Sequence, residues 1–217
     1  MKKQVEINHY DFSKYVYKGR WNSFYHQLDE IQSSATYFQC SAVSILEVGV
    51  GSGFLRTLCK FYLYLNYESM DIDDELQPDH IGSVLEMPFS DKQYDIVVCF
   101  QVLEHLPYTK FIKALSELFR VAKNSVIISL PNAERVLSLH IPKVCRKRFI
   151  KYPFVKIEEH KFDGEHYWEI NKGGYEIKKI IEAITKTGIR YNYKLEKNYR
   201  VWEEPYHHFF VLRKRDD

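Results

Sequence analysis

Ile45-Leu46-Glu47-Val48-Gly49-Val50-Gly51-Ser52-Gly53-Phe54-Leu55 decides how this chain folds. An apolar run carrying one acid gives way to three alternating glycines, and an apolar helical pattern follows. This is the signature of a strand that turns sharply into a helix. Glycine allows the positive φ that a tight turn requires, and it lets a ligand approach where a Cβ would block it. The first N–H groups of the next helix, with their partial positive charge, suit a carboxylate or a phosphate. A nucleotide-like ligand seated at a strand-to-helix crevice is the reading that follows.

The spacing bears on which nucleotide. Dinucleotide folds show G-x-G-x-x-G, whereas here Glu47 stands two residues before Gly49, with Gly51 and Gly53 beyond. A pyrophosphate gains nothing from that carboxylate, but a ligand bearing an ammonium group does. Tyr67-Glu68-Ser69-Met70-Asp71-Ile72-Asp73 reads as a second strand ending in an acid. A carboxylate there accepts hydrogen bonds from both ribose hydroxyls, and Ile72 can cover an adenine face. Ammonium, carboxylate, ribose and adenine together describe S-adenosylmethionine (SAM). A nicotinamide-dependent oxidoreductase is disfavoured by the glycine spacing and by Glu47.

Further segments follow in order. Gly82-Ser83-Val84-Leu85-Glu86-Met87-Pro88-Phe89 precedes Tyr94-Asp95-Ile96-Val97-Val98-Cys99-Phe100, and Gln101-Val102-Leu103-Glu104-His105-Leu106 comes next. With the glycine loop, this set resembles the class I SAM-dependent methyltransferases, in particular the small single-domain type with a V-L-E-H-L segment after its fourth strand. The resemblance runs from about Ser44 to Pro131. Weaker echoes lie in Arg20-Trp21, in His166-Tyr167-Trp168-Glu169-Ile170 and in Pro205-Tyr206-His207-His208-Phe209-Phe210. It implies an α/β, Rossmann-like three-layer sandwich whose mostly parallel seven-stranded sheet carries an antiparallel edge strand. It also implies methyl transfer from SAM, with S-adenosylhomocysteine (SAH) as product.

Composition sets outer bounds. The 217 residues fit one domain with a substantial core. A formal charge of +2 gives no global drive toward nucleic acid, so such a partner would need a local basic patch. Aromatic residues make up 16% of the chain, which suits aromatic-rich packing or an aromatic-lined substrate cavity. The cysteines at 40, 59, 99 and 145 form no C-x-x-C pair, and Cys99 reads as a buried thiol. A reducing, cytoplasmic setting fits these cysteines. The start, Met1 to Glu6, lacks the apolar stretch of a signal peptide, and no run approaches the roughly 18 apolar residues of a membrane span.

Residues 1–40 are expected to form an N-terminal cap, helical from about Lys14 to Ser33. The helix after the glycine turn is read through a stripe of Phe54, Leu55, Leu58, Phe61, Tyr62 and Leu65. The third strand is expected over Ile81–Leu85. A helix over Tyr108–Ala122 turns Phe111, Ile112, Leu115, Leu118 and Phe119 inward, and a last helix over Tyr175–Thr187 ends on Gly188 as its C-cap. Two closing strands follow near Arg190–Leu195 and His207–Arg213. Residues 131–174 exceed a simple connection and are taken as a substrate wall or lid.

By resemblance, Glu47 anchors the methionine ammonium directly or through water, while Gly49 and Gly51 turn backbone amides toward the carboxylate. Asp71 is the ribose ligand, with Asp73 as its rival or as a cap of the short link that follows. Ser83 replaces an acid common in relatives and keeps one hydrogen bond for adenine, as does the Val84 amide. Phe100 and Gln101 line the methionine arm; a cation–π contact from Phe100 to the sulfonium and plain core packing are both open. His105 is a candidate general base, or a residue bonding a loop carbonyl. His166 and Trp168 either touch substrate or pack the loop on the sheet edge. His207 and His208 are expected to begin the last strand, one side chain in and one out. No metal is expected. The basic-apolar run 143–154 is a solvated segment, a membrane-surface or lipid-linked contact, or an RNA contact, in that order. The expected acceptor is an oxygen or nitrogen of a small molecule, sugar or lipid-linked intermediate; the rival class is a non-catalytic SAM- or SAH-binding module acting through a protein partner.

Overall fold

A computed structural model describes residues 16–38, 42–141, 145–152, 160, 162 and 164–215. The alternation of apolar segments resolves into a seven-stranded sheet with helices on both faces. Strands β1 (Val43–Val48), β2 (Leu65–Asp71), β3 (His80–Ile81), β4 (Tyr94–Phe100) and β5 (Ala122–Pro131) run parallel. Beyond them lie β9 (His207–Lys214) and β8 (Tyr193–Arg200), giving the order β3-β2-β1-β4-β5-β9-β8. The reversed strand is β9, antiparallel to both β5 and β8. Strand order reverses between β1 and β4, so the carboxyl ends of these two strands flank the crevice where ligands of open α/β sheets bind.

Two cores sit on the two faces. On one, Ile31 and Ala35 of α1 (Lys18–Tyr37) and Leu55 and Cys59 of α2 (Phe54–Cys59) pack on Ile45, Val98 and Phe209. On the other, Phe111, Leu115 and Leu118 of α3 (Phe111–Val121) and Ile180 and Ile184 of α4 (Ile177–Arg190) pack on Leu46, Val97 and Phe210. Alternation along β1, with Ile45 to one face and Leu46 to the other, is the period-two rule of a strand buried on both sides. Glu30 is buried on α1 because Lys197 and the Tyr199 hydroxyl reach it at 2.7 and 2.8 Å, clasping α1 to β8.

Several sequence expectations are corrected. The helix after the glycine turn stops at Cys59, Phe61 is exposed, and Leu65 opens β2 because it pairs with Val43. Strand pairing prevails over the helical stripe there. The third strand is only His80–Ile81, since the Ser83 hydroxyl accepts the Leu85 amide at 3.2 Å and turns the chain. Ile112 is partly exposed on α3. Gly188 lies inside α4, not at its cap: an added Cβ would stand 3.1 Å from Leu212, so glycine brings this helix close to β9.

Of the expected cap, residues 1–15, 39 and 40 lie outside the described residues; α1 spans Lys18–Tyr37 and so runs past the expected end at Ser33. Within 131–174 the chain forms a hairpin of β6 (Val136–Ile141) and β7 (Cys145–Lys151). Phe149 of β7 packs at a tilt on Trp202 with ring centroids 5.0 Å apart, and Lys147 pairs with Glu203 at 3.4 Å. Part of the basic run is thereby paired within the molecule, and its residues 143, 144, 153 and 154 lie outside the described residues. No helix among the described residues is long and apolar enough to cross a membrane.

Candidate active site

The glycine turn sits at the carboxyl end of β1. Gly49, Gly51 and Gly53 have φ of 90°, 53° and 66°, the left-handed region that favours glycine. At Gly49 a second constraint applies, because a Cβ there would overlap the Val102 side chain. Beside Gly53 the space is open, with no atom within 4 Å of where a Cβ would stand.

Asp71 ends β2 next to this turn. Its Oδ2 accepts the Val50 amide at 2.8 Å and its Oδ1 accepts the Asp73 amide at 3.0 Å. A carboxylate so held keeps lone pairs for further donors. Asp73 instead accepts the Glu75 amide at 3.1 Å and caps the short turn over Asp74–Leu76. Ile72 stands partly exposed beside them.

Glu47 is buried on the face covered by α1 and α2, and the Tyr67 hydroxyl donates to it. Burial pushes its carboxyl up to about 8, against the opposing pull of Tyr67 and Arg56. The donors and spaces around the turn fit an adenosyl amino acid: a glycine cradle, a fixed acid, an apolar neighbour and a buried carboxyl.

Other candidates are placed differently. Phe100 packs in the core 5.9 Å from the Phe209 ring, which favours the packing alternative over an open wall. Gln101 has φ 55°, its amide donating to Ser129 O and its side-chain nitrogen to Ser129 Oγ at 3.3 Å. Ser83 caps its own turn, and the Val84 side chain is buried. Trp168 is fully buried, donating Nε1–H to Leu106 O at 3.1 Å, so it holds the loop in place.

A second cluster forms beside the turn. His105 donates Nδ1–H to the Glu165 carbonyl at 2.9 Å, the loop contact raised as one of its two readings. Its ring meets that of His166 edge-on, with centroids 5.0 Å apart. His166 donates Nδ1–H to Glu169 at 3.0 Å, and Tyr206 donates to the same carboxylate at 3.1 Å. Against the raising effect of burial, His166, Lys172 and Tyr206 hold Glu169 below the usual carboxylate range. His207 and His208 are both buried, correcting the one-in, one-out expectation, and burial pushes each down to about 3. They are neutral side chains here: Ser23 meets His207 at 2.7 Å, and Asn132 donates to His208 Nδ1 at 3.1 Å. Both histidines fall inward because β9 is covered on both faces at its start.

Glu104, Glu169 and Tyr206 are parts of this cluster to which the sequence alone assigned no role. The V-L-E-H-L segment drew attention to Glu104, but its burial depends on the 164–170 segment folding over it.

Comparison with known proteins bears on the family and the fold. Residues 46–130 match a family described as "Methyltransferase domain". An uncharacterized protein of Methanocaldococcus jannaschii is 29% identical over 103 residues, covering 45% of this chain and 44% of that protein. The match thus spans less than half of the curated relative. Among solved structures, a SAM-dependent methyltransferase from Aquifex aeolicus superposes with a TM-score of 0.59 at 14% identity, covering 97% of this chain and all of that one (100%). Magnesium protoporphyrin IX methyltransferase from Synechocystis, with bound SAH, gives 0.57 at 14% identity, covering 99% and 90%. Over residues 46–130 the chain is thus similar to that methyltransferase-domain family, and its fold is the one shared by the SAM-dependent methyltransferases it superposes on.

Proposed function

We propose that this protein transfers a methyl group from SAM to an oxygen or nitrogen of a small-molecule, sugar or lipid-linked acceptor. The observation that carries the reading is the link between the glycine turn and the acid ending β2. Asp71 holds the Val50 amide within the turn itself, so the ribose ligand and the amino-acid cradle are set by one carboxylate.

When bound, SAM supplies an electrophilic methyl group on its sulfonium. The work of the chain is binding, alignment and exclusion of water. Asp71 takes the ribose hydroxyls with the lone pairs its two amide bonds leave. Ile72 covers an adenine face, and the Val84 amide is the neighbouring adenine contact. Glu47 gives up its proton and offsets the ammonium charge. Gly49 and Gly51 keep the backbone clear for the carboxylate. His105 and His166, beside the turn, are the groups available on the acceptor side.

Calorimetric titration of the protein with SAH, with NADH as control, tests the reading. Micromolar or tighter SAH binding that is lost or weakened in Gly51→Arg supports it. A folded protein that binds no SAH overturns it, and with it the non-catalytic SAM- or SAH-binding alternative.

A further inference from the structure

We propose that Glu104, His105 and His166 form a binding site for one divalent transition-metal ion. Glu104 and His105 are consecutive in the helical turn Leu103–His105 that follows β4. His166 comes from the 164–170 segment, which is tied across that turn by the Tyr167 amide donating to Glu104 O at 2.8 Å. One ligand atom from each of the three side chains lies within 4.8 Å of the others. An ion that holds imidazole nitrogen and carboxylate oxygen at about 2.0–2.2 Å draws such a set somewhat closer, which small side-chain rotations accomplish.

A separate observation points to a missing cation. Glu104 is 0% exposed, and neither carboxylate oxygen has a hydrogen-bond partner. Buried carboxylates in folded proteins are paired, hydrogen-bonded or bound to metal. This one is aimed at two imidazoles and accepts nothing from either.

The imidazoles are oriented as ligands are. Metal-bound histidines donate their other ring N–H to a carboxylate or a backbone carbonyl, which fixes the tautomer. His105 does so to Glu165 O and His166 to Glu169, making Nε2 the lone-pair nitrogen of both rings. Glu169 is itself steadied by Tyr206 at 3.1 Å and Lys172 at 3.5 Å. Two imidazoles and one carboxylate favour manganese, iron, cobalt or zinc over calcium.

Three protein ligands leave coordination positions open to solvent or to an acceptor oxygen. The site adjoins the glycine turn, since Val102, two residues before Glu104, occupies the space a Gly49 Cβ would need. An acceptor bound there is a hydroxyl compound. That last step rests on the methyl-transfer reading; metal binding does not.

The test uses the full chain, stripped with chelator and titrated with Co²⁺ alone by visible absorption, then with Mn²⁺ and Zn²⁺ by calorimetry. The expected result is one ion per chain, ligand-field bands, and affinity at least about tenfold weaker in Glu104→Gln and in His166→Asn. The metal should raise the melting temperature of the wild type and not of Glu104→Gln, which keeps the shape of the side chain while removing its charge. No ion bound by the wild type, or undiminished binding in both variants, overturns the site. SAH titration in chelator separates the two readings. SAH binding without metal binding removes the site and leaves methyl transfer standing, while metal binding without SAH binding leaves the site and removes the acceptor role.

Discussion

The proposed cofactor half and the proposed acceptor half of the sheet edge are built in opposite ways. The cofactor half, Glu47 through Gly53 with Asp71, lies in two short stretches on neighbouring strands, and its geometry is local: three glycines at positive φ and one carboxylate bonded to the turn. The acceptor half, Glu104 and His105 with His166, Glu169 and Tyr206, draws on three segments separated by about sixty and about forty residues. The first half is sterically tight at Gly49, where an added Cβ would overlap Val102. The second is a set of charges and rings that depends on long-range folding to exist at all. Steric damage should therefore dominate on one side, and electrostatic or hydrogen-bond damage on the other.

The largest effect is expected at Gly49. Gly49→Val combines a positive φ with overlap on Val102, and each mechanism costs roughly 1–3 kcal/mol, so denaturant unfolding should show a loss of several kcal/mol together with loss of SAH binding. Gly53→Ala, where the space is open, should cost only about 1 kcal/mol. Equal losses at the two glycines would show that Val102 is not the limiting contact.

Asp71→Ala comes next. SAH affinity should fall by roughly 1–3 kcal/mol, the scale of charge-assisted hydrogen bonds in a partly enclosed site. An unchanged titration would transfer the ribose role to Asp73. The Glu47 test reads protons instead. Because burial raises this carboxyl to about 8, the ligand-free protein carries the proton below that pH and binding of a cationic ligand releases it. SAH affinity should rise with pH up to about 8 and then level off, and titrations at neutral pH in buffers of different ionisation enthalpy should show close to one proton released. Glu47→Gln should abolish that release. If the buffer makes no difference with the wild type, Glu47 is not linked to the ligand. The same shift has a folding consequence: a carboxyl raised in the folded state adds stability below about 4.5 that is lost as pH climbs toward 8.

The smallest effect probes the acceptor half. Trp168→Phe removes the hydrogen bond to Leu106 O while keeping most of the ring packing, and should cost about 1 kcal/mol in unfolding with SAH affinity unchanged. A matching drop in SAH affinity would mean that the two halves are mechanically coupled and the contrast between them is too sharp.

The sequence by itself determined the β1–turn–α2 unit, the acid ending β2, the parallel core strands and the closing β8–β9 pair. In each case the signal is short-range: glycine at positive φ, apolar alternation, an acid at a fixed offset from a turn. Where helix and strand periods competed, as from Leu58 to Leu65, pairing of Leu65 with Val43 settled the outcome, and no local pattern carried that information. Gly188 looked like a helix stop and is instead the point where α4 meets Leu212. Only the tertiary structure decided that Phe100 packs inward, that both His207 and His208 are buried, and that Glu104 lies sealed beside two histidines. The reason is physical: desolvation and charge proximity are properties of where distant segments meet, while backbone dihedrals and hydrophobic periodicity are written residue by residue along the chain.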